Sequence, residues 1–309
     1  MNKHKSLVPY LSALIAATIF GFSFLFTKSA LDSLGTFQML GMRFLTAAVF
    51  VSLLRVFRLI KIRFSTAIFK DLVMVALFQP VLYFIFETIG VRLTSASESG
   101  IIISLVTVSI TVIAFFMLKE SLTLIQWASI SLSVAGVVVI TLAKGNASGS
   151  GHMTGILALL GAVVAAGFYN SLSRRASTLY TPVEITFVMM WTGAIIFSLL
   201  GLLESAASGG MGGYIRALSD PVVLKDILYL GILSSVGAFF LLNYSLSRME
   251  ASRLAVFMNL TPVIAVASGI CIRGEKFYPL QFVGAALVLA GIWGTDHRSK
   301  KSRISVENP

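Results

Sequence analysis

The sequence predicts an all-α membrane protein in which ten transmembrane helices form two inverted five-helix repeats. Three observations predict this fold class: the composition, ten long apolar stretches and a weak internal repeat. Hydrophobic residues make up 57% of the 309 residues and charged residues 12%, whereas soluble domains have roughly 45 to 50% apolar and about 25% charged residues. This composition excludes a soluble globule, a disordered chain and a coiled coil.

Ten apolar stretches are long enough to cross a membrane. A helix rises about 1.5 Å per residue, so it needs about 20 residues to cross the roughly 30 Å hydrocarbon layer. The first stretch is too long for the apolar part of a secretory signal, and no small-residue cleavage site follows it, so we interpret it as an uncleaved span. The stretches are 8–27, 37–54, 72–90, 99–118, 125–142, 154–173, 183–203, 224–245, 253–272 and 279–295.

The basic residues predict the orientation of the spans. Sixteen Lys and Arg residues fall on the side that includes both termini and seven on the other, while Arg43 lies within a span. Because positive charge accumulates in cytoplasmic connections, we expect both termini to be cytoplasmic. The long connection 204–223, rich in glycine, then lies outside.

The fourth and fifth spans align with the ninth and tenth at an offset of 155 residues, with nine identities in about forty-five positions. The polar identities are the most informative: Glu120 matches Glu275, and Gln126 matches Gln281. Each half would hold five spans. An odd number inserts the two halves upside down relative to each other, the architecture of many alternating-access transporters.

Each half contains a Leu-rich span, a Glu, a Gln and an Ala-Gly pair. This pattern resembles the drug/metabolite transporter superfamily, specifically its EamA-type members. The resemblance covers nearly the whole chain, and Thr261-Pro262 and Gly274-Glu275 match the family pattern most closely. Thr107 stands where the family often has a proline, and Lys119 replaces the glycine before Glu120. We therefore expect EamA-like repeats at 1–146 and 147–296, followed by a basic cytoplasmic tail at 297–309.

Arg43 and Glu87 are the most deeply placed charges. An arginine at mid-membrane costs at least roughly 2.5 to 3.5 kcal/mol unless it is paired or hydrated. Arg43 either binds a substrate carboxylate through its planar fork or locks helices by pairing with Glu87 or with backbone carbonyls. Glu87 either carries a coupled proton or bridges to Arg92 or Arg43 near the outer boundary.

Polar side chains lie beside prolines in both halves. Gln79 precedes Pro80, and Asn259 comes three residues before Pro262. A proline frees a backbone carbonyl, which is tolerated at membrane depth beside a cavity or neighbouring helices, so these positions indicate either a binding site or an ordinary kink. The candidate substrate contacts are Arg43, Gln79, Tyr83, Asn170, Trp191 and Asn259, with Glu87 as a possible proton carrier.

Several classes of function lack support in the sequence. The basic residues do not cluster on a polar face, so nucleic acid is not an expected partner. The single cysteine, Cys271, lies inside an apolar stretch, and the three histidines lie in termini or connections, so no metal site is predicted. No P-loop or nucleophile elbow is present, so neither ATP-driven transport nor an enzyme is expected, and no cofactor is needed.

Glu120 and Glu275 are expected to cap the helices that follow them.

The sequence therefore predicts a secondary transporter or facilitator of small metabolites in the inner (plasma) membrane. The family resemblance implies amino acids or related compounds as substrates and export as the direction, with one half rocking against the other. A proton-coupled drug or amine exporter, a membrane-embedded lipid-handling protein and a non-transporting scaffold remain alternatives. The expected partners are a small solute and the lipid bilayer, and the chain is a monomer or homodimer.

Overall fold

The computed structural model describes residues 7–62, 66–118, 122–143, 151–176, 178–207, 217, 219–246, 248 and 257–304. The described helices, in chain order, are α1 (Val8–Leu31), α2 (Thr36–Val56), α3 (Thr66–Ala76), α4 (Tyr83–Leu93), α5 (Ala96–Ile103), α6 (Val106–Leu118), α7 (Leu124–Ala143), α8 (His152–Ala176), α9 (Pro182–Ala207), α10 (Pro221–Leu228), α11 (Phe239–Leu246), α12 (Leu260–Cys271) and α13 (Pro279–Ile304).

These helices make up the ten predicted spans. Within the described ranges, eight helical segments are long and apolar enough to cross a membrane, and two shorter apolar helices, Leu260–Cys271 and Pro279–Gly294, occupy the ninth and tenth positions. The third span joins α3 to α4, the fourth joins α5 to α6, and the eighth joins α10 to α11. Local sequence sets several helix starts: Asp220 accepts a hydrogen bond from the Val222 amide at 2.8 Å, and Pro221 opens α10.

Four spans are broken, and the breaks form two pairs. The third span is kinked at Leu77–Leu82, where Gln79 has non-helical backbone angles, and the eighth contains a π-helical segment at Tyr229–Ala238. We call these two segments the wide turns. The fourth span breaks between α5 and α6 at Ser104, and the ninth has a turn at Asn259 just before α12. At the repeat offset of 155 residues, Ser104 aligns with Asn259, and the residues of the first wide turn align with residues inside the second. Equivalent spans of the two halves are therefore broken at equivalent places.

Two other pairs of spans pack through glycines. A β-carbon on Gly41 of α2 would lie 2.9 Å from the carbonyl oxygen of Phe197 in α9. In the same way, a β-carbon on Gly136 of α7 would lie 2.6 Å from the carbonyl oxygen of Gly284 in α13. Such short distances mean that only glycine permits this backbone approach, as is common between helices in lipid. The second span is thereby packed on the seventh, and the fifth on the tenth.

Remote carboxylates cap two helices at the distal end, which we define as the end of the bundle where α1 ends and α2 begins. The Glu204 carboxylate accepts hydrogen bonds from three amides of the first turn of α2, at 2.9 to 3.1 Å. Glu275 accepts the amides of Ala96 and Ser97 at 2.8 and 3.0 Å, and the Ser97 hydroxyl at 2.6 Å. The expectation that Glu275 caps the following helix is wrong, because it caps α5. Glu120 lies outside the described residues.

Further contacts link helix ends across the distal end. Lys28 of α1 donates to the carbonyls of Val91, Arg92 and Thr94, at the end of α4. Arg273, beyond α12, pairs with Asp32 at 2.8 Å. The first, third, fourth and ninth spans are therefore tied together at this end.

Candidate functional site

Arg43 lies near the middle of α2 and its side chain is buried, with 2% exposure. Its Nε donates to the Ser235 hydroxyl at 3.0 Å and its Nη2 to the Ser234 hydroxyl at 3.3 Å. The guanidinium carbon lies 4.5 Å from the centre of the Phe84 ring, within cation–π range. Nη1 has no hydrogen-bond partner among the described residues. A buried cation with five N–H donors therefore retains unused donors.

The two serines that hold Arg43 lie in the wide turn of the eighth span. Hydroxyl groups orient the guanidinium but do not neutralise it, since each serine is uncharged. The Glu87 carboxylate of the third span acts electrostatically on the guanidinium. No ion pair within 4.0 Å joins Arg43 to Glu87. A direct ion pair with Glu87, one of the two ways in which Arg43 could lock helices, is therefore not formed, while substrate binding and helix locking both stay predictions.

Glu87 and Tyr83 are one helical turn apart on α4, so they share a face. Glu87 is 3% exposed, and its Oε2 accepts a hydrogen bond from the Thr88 hydroxyl at 3.1 Å. Tyr83 is half-buried, and its ring contacts the ring of Phe84, over which the Arg43 guanidinium lies. The structure therefore brings three of the predicted residues together: Arg43, Tyr83 and Glu87.

Gln79 and Asn259 both lie at breaks in their spans. Gln79 is 7% exposed and has extended backbone angles (φ −146°, ψ 116°) inside the wide turn of the third span. Asn259 is half-buried at the turn before α12. No hydrogen bond joins either of these two residues to Arg43, so their place in a binding site stays a prediction.

Asn170 and Trp191 have contacts within the helix framework. The Asn170 side-chain amide donates to the Ala166 carbonyl of its own helix at 2.8 Å. The Trp191 indole donates to the Ser52 hydroxyl of α2 at 3.1 Å. Neither is hydrogen-bonded to Arg43. Their observed contacts are with the helices, and a contact of either residue with a solute stays a prediction.

Sequence reasoning missed several polar residues of the interior. Ser234 and Ser235 carry no local signal, although the repeat offset of 155 aligns them with Gln79 and Pro80. At the distal end, Glu98 Oε1 accepts one hydrogen bond from the Gln281 side-chain amide at 2.6 Å, and Glu98 Oε2 lies 3.2 Å from His152 Nε2. The sequence places His152 in a connection, but in the structure it begins α8 and is 6% exposed.

Comparison with known proteins agrees with this architecture. The model of the EamA-like transporter family matches the chain twice, over residues 7–142 and 153–295. The chain belongs to the EamA-like transporter family. Each match covers five of the predicted spans, and the family is described as one of transporters.

Curated relatives extend this EamA assignment. The chain is 31% identical to "Uncharacterized transporter YcxC" of Bacillus subtilis, over 97% of this chain and 96% of that one. It is 27% identical to "Probable terminal-alkyne amino-acid exporter" of Streptantibioticus cattleyicolor, over 69% and 68% of the two chains. It is also 27% identical to "Probable amino-acid metabolite efflux pump" of Salmonella typhimurium, over 58% and 60%. A crystal structure with 18% identity superposes with a TM-score of 0.64 over 95% of this chain and 98% of its own, which shows a shared fold.

Proposed function

We propose that this EamA-family chain is a secondary transporter or facilitator that exports amino acids or related small metabolites across the inner (plasma) membrane. The observation that supports this best is the buried guanidinium of Arg43, which keeps an unpartnered Nη1 among the described residues and is held by neutral serines. A guanidinium binds a carboxylate through two parallel hydrogen bonds. An amino-acid carboxylate is therefore the group that Arg43 fits.

The mechanism we propose is alternating access between two inverted halves. The third and eighth spans, which are broken near the site, place Phe84, Ser234 and Ser235 against Arg43, and in this mechanism the broken fourth and ninth spans move together with them. Under the orientation predicted from the basic residues, the distal end faces outside. The contacts of Glu275, Lys28 and Arg273 then support a conformation in which the site is closed to the outside. Release of the solute requires those contacts to separate.

The test is counterflow into proteoliposomes with a pooled panel of labelled amino acids, amines and sugars. We expect accumulation of an amino-acid class by the wild type and at least a tenfold lower rate for Arg43→Ala. The matched control is Arg175→Ala, because Arg175 is an exposed arginine at the end of α8. Equal transport by wild type and Arg43→Ala would remove Arg43 from the site. Accumulation of sugars or amines alone would contradict the proposed substrate class.

Glu87 favours a second candidate, a proton-coupled drug or amine exporter, because it is a buried carboxylate close to Arg43. Glu87→Gln removes the titratable group and keeps the shape of the side chain. A facilitator keeps its counterflow after this change. Loss of only the component driven by a pH gradient would instead identify Glu87 as the coupling residue.

A further inference from the structure

Asp226, in the second turn of α10, is a buried carboxylate with no role in the site described above. Its side chain is fully buried, with 0% exposure. Neither of its carboxylate oxygens has a hydrogen-bond partner among the described residues. A carboxylate buried away from water is costly in its charged form unless neighbouring groups compensate the charge.

Two cations act on Asp226, one from its own helix and one from beyond α12. Lys225, its neighbour on α10, places Nζ 3.6 Å from Oδ1, but the Lys225 side chain is 62% exposed to the surroundings. Arg273, beyond α12, acts on the carboxylate electrostatically while its guanidinium donates to both oxygens of Asp32. From α1, the Ser29 hydroxyl faces the carboxylate. These are the charged or polar groups that the described part of the chain brings to Asp226.

The position of Asp226 connects it to Arg43. The wide turn of the eighth span begins three residues later at Tyr229, whose ring stacks on Phe26 of α1 at 3.9 Å and whose hydroxyl donates to the Ile19 carbonyl at 2.9 Å. Ser234 and Ser235 follow, about 12 to 14 Å along the span at 1.5 Å per residue. Separation of α10 from α1 would therefore expose Asp226 and move the serines that hold Arg43.

We propose that Asp226 binds a proton when α10 is packed on α1, and that it releases the proton when this packing opens at the distal end. The proton thereby stabilises the conformation that is closed at this end. Because a state that binds the proton more tightly is favoured as pH falls, acid closes the distal end and alkaline conditions open it. The proposal rests on the proposed transport function and adds a proton site distinct from Glu87.

The first experiment is counterflow of the responding solute class at equal internal and external pH, from pH 5 to 9. We expect the wild-type rate to fall at the acidic end. Asp226→Asn imitates the protonated acid, so its rate should be low and nearly independent of pH. The control is Asp220→Asn on the same helix, which keeps the cap because asparagine caps as well as aspartate. A wild-type pH profile in Asp226→Asn would overturn the proposal.

The second measurement requires neither transport nor a stable variant. A protonated carboxylic acid has an infrared carbonyl band that a carboxylate lacks. Wild-type protein in lipid at pH 7 should show this band, and incorporation of isotopically labelled aspartate should shift it, which separates Asp226 from Glu87. Absence of a labelled band would overturn the proton site whether or not transport is found. A labelled band in protein that transports no tested class would instead count against the proposed function alone.

Discussion

Arg43 is an unusual buried charge because its hydrogen-bonded partners are uncharged. A buried arginine is normally paired with a carboxylate, since an unpaired charge in a low-dielectric interior is costly. Here Ser234, Ser235 and the ring of Phe84 orient the guanidinium while Glu87 acts only electrostatically. The positive charge therefore stays available to an anionic group on a solute.

Ser235→Ala should weaken solute binding without removing the guanidinium. Loss of the 3.0 Å hydrogen bond from Arg43 Nε allows the guanidinium to rotate. Hydrogen bonds to charged groups contribute roughly 1.5 to 3 kcal/mol to stability. We expect at least a tenfold higher apparent KM in counterflow, equivalent to about 1.4 kcal/mol. Ser245→Ala is the control, because Ser245 is a buried serine of the same span that donates to the Pro9 carbonyl. An equal effect of both changes would indicate general damage to the eighth span.

At the level of helices, the breaks in the four central spans have different origins. Pro80 predicts the break in the third span, because a proline removes a backbone donor. The wide turn of the eighth span and the break at Ser104 contain no proline, and only the repeat offset indicates them. The break of the ninth span at Asn259 lies before Pro262, one turn earlier than the proline itself. Local sequence therefore predicts a kink better than it predicts its location.

The Glu275 cap predicts a loss of stability on removal of one charge. The carboxylate accepts two amides and one hydroxyl at the start of α5, so it joins the ninth span to the fourth. Glu275→Gln leaves only one accepting oxygen and should cost about 1 to 2 kcal/mol. A lower Tm in detergent, measured by thermal unfolding, checks this. The adjacent exposed Lys276→Gln should leave the Tm unchanged, and an unchanged Tm in Glu275→Gln would show that the cap is dispensable.

The glycine contact between α7 and α13 predicts a second effect. A methyl group at Gly136 would lie 2.6 Å from a backbone oxygen of Gly284, which cannot move without shifting the helix. We expect Gly136→Ala to destabilise the protein by about 1 to 3 kcal/mol, the usual cost of overpacking. Gly237→Ala is the matched change, because its nearest atom would be 3.5 Å away. Equal thermal stability of these two variants would contradict close packing of the fifth and tenth spans.

For the whole molecule, the sequence predicted the helical membrane fold and the family, because both depend on composition and on a pattern that runs along the chain. The candidate site was predictable only in part. Arg43 and Glu87 stand out because a charge within an apolar span is conspicuous. Asp226 does not, since it lies near a span end beside Lys225 and its burial depends on how α10 packs against α1. The remote cap by Glu275 likewise joins elements that are far apart in sequence.

The orientation of the molecule stays a prediction, and the single cysteine allows a direct test. Cys271 is exposed at the last residue of α12, at the distal end. Because sixteen of the basic residues fall on the opposite side and seven on this one, the positive-inside bias places the distal end outside.

A membrane-impermeant maleimide should therefore label Cys271 in intact cells. In a Cys271→Ser background, a cysteine introduced by Arg175→Cys at the exposed end of α8 should be labelled only after permeabilisation. The reverse pattern would place both termini outside. In that case the distal end, which Glu275, Lys28 and Arg273 hold together, would face the cytoplasm. The described conformation would then be closed to the inside. Labelling of both cysteines in intact cells would indicate mixed insertion, which contradicts a fixed orientation set by the basic residues.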